Sequence, residues 1–249
     1  MKKIFQSATF AISAAVLIFM CFTGCVITNF FDMNALTPKG DRQIYEFQTG
    51  EYSGIKIEGT SDVRYYSAPS STVTLAVQPN LREYYTVEVI NGELVLRAAR
   101  RINSGSGKNP VLTVSTPVLN RMIIEGSGNF TAYDKIKSNS LTLVIRGSGT
   151  GKAELDADNL SVDLSGAGKF ELSGRADKAG LSLSGAGEIN ALQLQTREAS
   201  VNLSGAGTVK VSCQEKLLIN ANGAGNVDYR GTPSLSLNTG GMVSIRQLD

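Results

Sequence analysis

The chain has 249 residues, 42% of them hydrophobic, and a formal net charge of +2. This length suits one large domain or two small ones, and the apolar fraction is enough to bury a core. The nearly balanced charge argues against nucleic acid as a partner, because nucleic-acid binding relies on an excess of basic residues. The chain has no histidine, so acid–base or metal chemistry would have to rest on other side chains.

The amino-terminal segment, residues 1–24, is typical of a bacterial lipoprotein signal peptide. Lysines follow the first methionine, an apolar run extends from Phe10 to Phe22, and a glycine precedes Cys25. This run is too short to span a membrane comfortably. The pattern predicts cleavage before Cys25 and acylation of its thiol, with an ordinary secretory signal as the alternative. The mature chain would be formally neutral and would retain only Cys213 besides the acylated cysteine, so no intramolecular disulfide could form.

After the signal peptide, residues 25–43 are expected to form a tether, and residues 44–249 to form a single β domain. Its first part, residues 44–118, alternates apolar and polar residues in irregularly spaced segments. Asn91-Gly92 predicts a tight hairpin, which could either cap the domain or be an insertion. Residues 98–110 are expected to form a flexible basic loop. The segments predicted to be strands before residue 119 are 54–59, 62–66, 72–77, 85–89, 94–96 and 111–114.

From residue 119 the sequence repeats with a period near twenty residues, which is typical of stacked-repeat proteins. Each unit contains a triplet of small residues with alternating apolar positions on both sides. This alternation predicts a strand, a tight corner and a second strand in every unit. The triplets begin at Gly126, Gly147, Gly166, Gly185, Gly205, Gly223 and Thr239.

One unit cannot bury its apolar face alone, but units stacked in register can line a continuous core. The repeat therefore predicts a right-handed parallel β-helix with about seven regular coils in residues 119–249. The corner glycines are expected to adopt positive φ and to leave room for the next coil. A phosphate-binding role is disfavoured, because a strand and not a helix follows each corner. The predicted structural corners are Gly126, Gly128, Gly147, Gly149, Gly166, Gly168, Gly185, Gly187, Gly205, Gly207, Gly223 and Gly225.

The same alignment predicts columns of outward-facing side chains on successive coils. Opposite charges meet within these columns and like charges do not, as expected for a correct register. We expect Lys152 to lie beside Glu171, and Lys210 beside Asp228, on adjacent parallel strands. One column precedes the triplets and contains Glu125, Arg146, Ser165, Ser184, Ser204, Asn222 and Asn238. The other follows them and contains Thr131, Lys152, Glu171, Asn190, Lys210, Asp228 and Ser244.

Several stretches together resemble one known family. They are GIKIEGTSDVRYY, the NGELVL hairpin, TPVLNRMIIEGSG and the repeated G-[SA]-G corners, following a lipoprotein-like leader. In this combination the chain resembles the putative auto-transporter adhesin, head GIN domain family, over roughly residues 44–246. The resemblance implies a right-handed β-helix-like fold and a location in the envelope of a Gram-negative bacterium. It implies no catalytic residues.

The residues that could carry chemistry do not form a recognisable catalytic or cofactor site. Asp156, Asp158 and Asp163, with Lys152 nearby, could form a weak cation site, although a solvated acidic loop is the favoured interpretation. By the register, Asp163 points outward from a strand and the other two aspartates lie in a loop between strands. Cys213 has no histidine to activate it and is expected to be a buried small hydrophobe.

Exposed aromatic residues are the main candidates for ligand binding, and most tyrosines lie in the irregular part of the domain. In an adjacent tyrosine pair on a regular strand, one ring should face outward. The alternative is that these tyrosines complete a shallow core. The predicted binding surface consists of Tyr65, Tyr66, Tyr84, Tyr85, Arg100 and Arg101.

The sequence thus predicts a non-enzymatic β-helix module, lipid-anchored in the cell envelope, that acts in adhesion, surface recognition or envelope organisation. The outer membrane, facing the periplasm, is the favoured location, and an envelope protein or polysaccharide is the expected partner. No cofactor is predicted. The alternative is a carbohydrate-active enzyme or a cation-dependent polysaccharide binder on the same scaffold.

Overall fold

Alternating apolar and polar residues form strands through most of the residues that the computed structural model describes, 35–103 and 108–249. The signal peptide and Cys25 lie outside these residues. A 3₁₀ helix spans Pro79–Tyr84. The strands are β1 (Gln43–Phe47), β2 (Gly54–Thr60), β3 (Asp62–Ser67), β4 (Thr72–Val77), β5 (Tyr85–Ile90), β6 (Glu93–Ala98), β7 (Val111–Thr116), β8 (Arg121–Ser127), β9 (Phe130–Ala132), β10 (Ile136–Ser148), β11 (Thr150–Gly166), β12 (Lys169–Leu183), β13 (Glu188–Leu203), β14 (Thr208–Gly223), β15 (Asn226–Arg230), β16 (Ser234–Gly241) and β17 (Ser244–Leu248).

The seventeen strands of the described residues belong to one hydrogen-bonded sheet that winds into stacked coils. Successive coils pair in parallel, β8 with β10, then β10 to β14 in order, and finally β14 and β15 with β16 and β17. The prediction of an all-β domain with about seven parallel coils in its carboxy-terminal half is therefore confirmed. Lys152 pairs with Glu171, and Lys210 with Asp228, as the register predicted.

Apolar side chains on alternate positions of each coil fill the interior. In β11, Leu155, Leu160 and Leu164 are at most 4% exposed. Asp158 and Asn159 are both exposed and mark the bend where the alternation changes phase. The aspartates of the candidate cation site therefore lie within a strand, because β11 continues through the segment predicted to be a loop.

The corner glycines stack directly on one another. The lack of space for a side chain between coils explains the need for glycine at more of these corners than a positive φ does. Gly126 and Gly147 have φ of 134° and 136°, as predicted, but Gly185 lies outside the positive-φ range. A Cβ atom at Gly185 would nevertheless lie 2.0 Å from the carbonyl oxygen of Gly166 on the preceding coil. That carbonyl accepts the backbone hydrogen bond of Ala186 at 3.0 Å, so it cannot move away without breaking the ladder. The expectation of positive φ is likewise wrong for Gly168, Gly187, Gly205, Gly207, Gly223 and Gly225.

The last coil is two residues out of the predicted register. Gly241, and not Thr239, stacks on Gly223, because the run of small residues at 239–241 offers several candidate corners and the structure uses the last. Arg246 consequently replaces Ser244 beside Asp228 in the outer column. The guanidinium donates two hydrogen bonds of 3.1 Å to the Asp228 carboxylate.

The amino-terminal part contains a further coil that the repeat analysis did not identify. β2 stacks on β8 with Gly59 beside Gly126, and β3 stacks on β9. Residues 44–118 are therefore less irregular than expected. Packing also begins earlier than residue 44. Leu36, which lies in the predicted tether of residues 25–43, forms a β-bridge with Ile102.

The predicted hairpin belongs to a cap over this first coil. β5 and β6 pair antiparallel through Asn91-Gly92, as predicted, and β6 stacks in parallel on the outer side of β2. β7 covers β3 in the same way, and the antiparallel strands β4 and β1 complete the cap. The choice between a cap and an insertion is thus decided in favour of a cap.

Candidate ligand-binding site

Tyr65 and Tyr66 divide between the core and the surface as strand alternation predicted, and Tyr84 and Tyr85 divide likewise although Tyr84 ends the 3₁₀ helix. Tyr65 and Tyr85 are 1% and 2% exposed, whereas Tyr66 is 37% exposed and Tyr84 is half-buried. Burial raises the pKa of both buried phenols, and the Tyr85 hydroxyl donates a hydrogen bond to the carbonyl of Thr60. Tyr65 and Tyr85 therefore complete the core, and only their neighbours remain as surface candidates.

An exposed aromatic pair lies where the first two coils meet. Tyr66, at the end of β3, stacks on Tyr133, just after β9, with 5.0 Å between ring centroids and 7° between ring planes. Tyr133 is 55% exposed. Backbone hydrogen bonds hold the two segments together, because Tyr133 N donates to the carbonyl of Tyr65 and Ser67 N donates to the Asp134 carboxylate. The stacked pair is thus a supported, outward-facing aromatic platform.

A polar groove of about 530 Å³ begins at this platform and crosses the outer face of the next coils. Parallel pairing of β11, β12 and β13 places Lys152, Glu171 and Asn190 side by side along it. The groove thus offers a cation, a carboxylate and an amide in successive coils. The other residues that line it are Ala132, Tyr133, Asp134, Lys135, Ala153, Glu154, Leu172, Ser173 and Gln193.

Ion pairs organise the charged groups around the groove. Lys135 contacts Glu154 at 2.7 Å, and Lys169 contacts Glu171 at 2.9 Å. The hydrogen bond from Lys169, with a smaller contribution from the charge of Lys152, lowers the pKa of the Glu171 carboxyl. Glu171 is therefore ionised at neutral pH and acts only as a hydrogen-bond acceptor. Lys152 is its register neighbour, but Lys169 forms its ion pair.

The remaining predicted surface residues lie in the cap and form a different cluster. The guanidinium of Arg100 lies 5.9 Å from the ring centroid of Tyr84, whose carbonyl accepts the backbone hydrogen bond of Ala99. Arg101 contributes its backbone, since its carbonyl accepts a hydrogen bond from Leu36 N. Of the six predicted residues, two are therefore buried, one belongs to the aromatic platform, and three form the cap cluster. These are, in that order, Tyr65 and Tyr85, then Tyr66, then Tyr84, Arg100 and Arg101.

Sequence reasoning missed the groove and the contribution of Tyr133. Tyr133 directly follows Ala132, which continues the inward register of Phe130, so its outward direction could have been inferred. Its stacking partner could not, because Tyr66 is distant in sequence and reaches it only through the pairing of β3 with β9. The groove also depends on this coil-to-coil register.

No group of three potential metal-ligating side chains occurs in the described ranges, 35–103 and 108–249. Asp156 and Asp158 are exposed on β11, and Asp156 pairs in register with Arg175. Cys213 is buried, as predicted, with its sulfur 3.2 Å from the carbonyl oxygen of Lys216. Within the same ranges, no helix has the length and apolar character needed to cross a membrane.

The fold and the groove define a class of protein: a β-solenoid with a polar, aromatic-edged site on its outer face. The particular family follows from the sequence. The family model described as putative auto-transporter adhesin, head GIN domain, matches residues 51–233. The chain belongs to this family, as the resemblance indicated.

Solved structures of bacterial proteins share the fold. A putative adhesin from Bacteroides fragilis NCTC 9343 matches with a TM-score of 0.76 and 21% identity, covering 86% of this chain and 100% of that chain. A protein described as a putative lipid binding protein, from Parabacteroides distasonis ATCC 8503, matches with a TM-score of 0.68 and 23% identity, and it also covers 86% of this chain and 100% of that chain. A putative adhesin from Parabacteroides merdae ATCC 43184 matches with a TM-score of 0.62 and 18% identity, covering 87% of this chain and 100% of that chain. No curated protein sequence matches the chain.

Proposed function

We propose that the protein is a non-enzymatic, lipid-anchored recognition module of the cell envelope that binds polysaccharide in the groove beside Tyr66 and Tyr133. The observation that carries this proposal is the stacked, exposed tyrosine pair at the edge of a polar groove. Membership of an adhesin-type family supports a role in surface recognition.

The chemistry of the groove suits a sugar chain. Sugar rings present C–H faces that pack on aromatic rings, and hydroxyls that both donate and accept hydrogen bonds. Tyr133 supplies the aromatic surface, and Lys152, Glu171 and Asn190 supply donors and acceptors at the regular spacing of stacked strands. An extended polysaccharide could follow this row from coil to coil.

The protonation states around the groove favour binding over hydrolysis. Glycoside hydrolysis uses a carboxylic acid whose pKa is raised so that it can protonate the leaving oxygen. Glu171 in the groove has the opposite tendency, because a hydrogen bond from Lys169 lowers the pKa of its carboxyl, and a hydrogen bond from Lys210 does the same for Glu188 outside the groove lining. These groups are acceptors for hydroxyls, which supports a binding module.

Retention on immobilised polysaccharides tests the proposed site. Peptidoglycan, mucin glycans and O-antigen polysaccharide would serve as probes with the purified chain. Tyr133→Ala should weaken retention on the bound polysaccharide at least tenfold, because it removes the exposed ring of the platform. Tyr66→Ala should have a smaller effect, through loss of support for Tyr133.

Tyr84→Ala is the matched control, since it removes a half-buried tyrosine from the cap cluster. Its retention should equal that of the unsubstituted chain. If Tyr84→Ala lost retention and Tyr133→Ala did not, the binding site would lie in the cap. If the unsubstituted chain were retained on none of the probes, the proposal of polysaccharide binding would be wrong.

The lipid anchor is tested separately by Cys25→Ala, because this substitution leaves the domain unchanged. The variant should leave the membrane fraction and appear in the soluble envelope fraction. Unchanged fractionation would refute acylation at Cys25. Protease treatment of intact cells then distinguishes the periplasmic face, where the protein should be protected, from the cell surface.

A further inference from the structure

The carboxy-terminal end of the coil stack leaves two strand edges and part of the core uncovered. Among the described residues, β16 pairs only with β14, and β17 pairs only with β15. Leu235 and Leu237 continue the inward column of Leu217 and Ile219, which are fully buried. The two last leucines, however, are 39% and 51% exposed. Stacked-repeat proteins normally cover such an end with a polar capping unit.

The edge strand β16 lacks the usual protection against pairing with another strand. Its sequence, Ser234–Gly241, contains no charged residue and no proline. Natural edge strands commonly carry lysine, proline or a bulge that prevents association. At the opposite end of the same molecule, β6 and β7 cover the first coil in parallel, and the antiparallel strands β5 and β4 close the outer edges of β6 and β7. An antiparallel strand is therefore the way in which this fold terminates its outermost sheet edge.

We propose that β16 pairs antiparallel with β16 of a second copy of this chain, which joins two molecules end to end as a symmetric dimer. Two-fold symmetry makes the contact self-complementary. With Ser236 opposite Ser236 of the second copy, Leu235 lies opposite Leu237, and Leu237 opposite Leu235. Residues directly opposite in an antiparallel pair share one face of the sheet, so the leucines join the two cores. The absence of charge on β16 allows this pairing without repulsion.

The dimer follows from the strand edge and does not depend on polysaccharide binding. It would hold two grooves in one particle, which increases apparent affinity for a repetitive polymer when both grooves bind. The substitutions that test each proposal lie on different strands, so the failure of one does not affect the other.

Light scattering after size-exclusion chromatography in detergent tests the dimer with the full chain isolated from membranes. The protein mass, corrected for detergent, should be twice that of one chain. Ser236→Lys places two lysines opposite each other on the outer face and should weaken association at least tenfold. Leu237→Lys should do the same from the inner face.

Ser161→Lys is the matched control, because Ser161 lies in the same outward-facing column as Ser236 but in the interior of the stack. The strand register joins the two serines through Gly180, Ser200 and Leu218. This variant should remain dimeric. A single cooperative thermal transition for Ser236→Lys would show that this variant is folded, and its midpoint should be no higher than that of the dimeric Ser161→Lys. A monomeric unsubstituted chain, or a dimer unaffected by Ser236→Lys, would overturn the proposal.

Disulfide trapping tests the register independently. Ser236→Cys in isolated membranes should form a reducible covalent dimer under mild oxidation, whereas Ser161→Cys should not. The unsubstituted chain controls for its own cysteines, and Cys213 is buried. Failure of Ser236→Cys to crosslink would rule out the proposed register.

Discussion

The two ends of the coil stack differ in how they close the core. At the amino-terminal end, β6 and β7 cover the first coil, and its inward residues Ile55 and Ile57 are at most 1% exposed. At the carboxy-terminal end, the equivalent inward leucines of β16 are uncovered. A repeat can extend a stack but cannot end it, because each coil leaves the next edge unpaired. The cap therefore requires non-repeating sequence, and the open end points to a partner strand.

Crowding in the interior of the stack gives the largest expected effect. Gly185→Val should lower the free energy of unfolding by about 4–5 kcal/mol, because the new Cβ overlaps the carbonyl of Gly166. Gly92→Ala in the cap hairpin is the contrast: φ is 77° but no atom lies within 4 Å of the added Cβ. It should cost only about 1 kcal/mol of backbone strain. Urea denaturation measures both, and similar losses would contradict crowding as the main cause.

Cavity formation should distinguish the interior from the open end. Leu181 and Leu237 occupy the same inward column, joined in register through Val201 and Ile219. Leu181→Ala should cost about 3 kcal/mol, because Leu181 is fully buried. Leu237→Ala should cost under about 1 kcal/mol in the monomer, since much of the side chain is already in water. Thermal unfolding of the two variants at low protein concentration provides the measurement, and equal losses would mean that the end is covered within one chain.

A charge ladder joins the cap to the coils and should give the smallest effect. Lys56 lies 2.8 Å from Glu58 and 3.1 Å from Glu125, Arg97 of β6 pairs with Glu58, and Arg146 of β10 pairs with Glu125. Hydrogen bonds from Arg97 and Lys56 lower the pKa of Glu58 from 4.5 to about 2. The resulting stability is present above pH 4.5 and is lost as the pH falls towards 2.

Glu58→Gln should therefore cost about 1 kcal/mol or less at neutral pH, after screening by solvent. It should also flatten the dependence of stability on pH between 4.5 and 2. The exposed Glu51→Gln is the control and should leave that dependence intact. Denaturant midpoints across this pH range measure the effect, and an unchanged curve for Glu58→Gln would show that the ladder does not contribute.

Much of the regular stack was predictable because each coil repeats a local pattern. Alternation located the inward residues, and the opposite charges of Lys152 and Glu171 identified a correct register. The last coil was misaligned by two residues because the small residues at 239–241 offer more than one possible corner, and local sequence does not distinguish between them. The structure chooses the corner that keeps Asn238 beside Asn220 and brings Arg246 to Asp228.

The first coil was missed for a different reason. β2 and β3 are followed in the chain by the cap strands, but in space they lie between the cap and β8 with β9. Sequence order therefore differs from stacking order in this half. The same reordering brings Tyr66 to Tyr133, so the candidate site could not be assembled from local patterns.

The sequence by itself determined the strands, the corners and the parallel stacking, because these depend on period-two burial and on small residues at a fixed interval. Only the tertiary structure decided the cap, the groove and the open end. These features depend on which strand edges pair with each other across long stretches of chain. The hydrogen-bonding groups of a strand edge belong to the backbone and are the same for every sequence, so the sequence does not show which edges pair. Crowding at Gly185 illustrates the division: the sequence shows where glycine recurs, and the stacked carbonyl of Gly166 shows why.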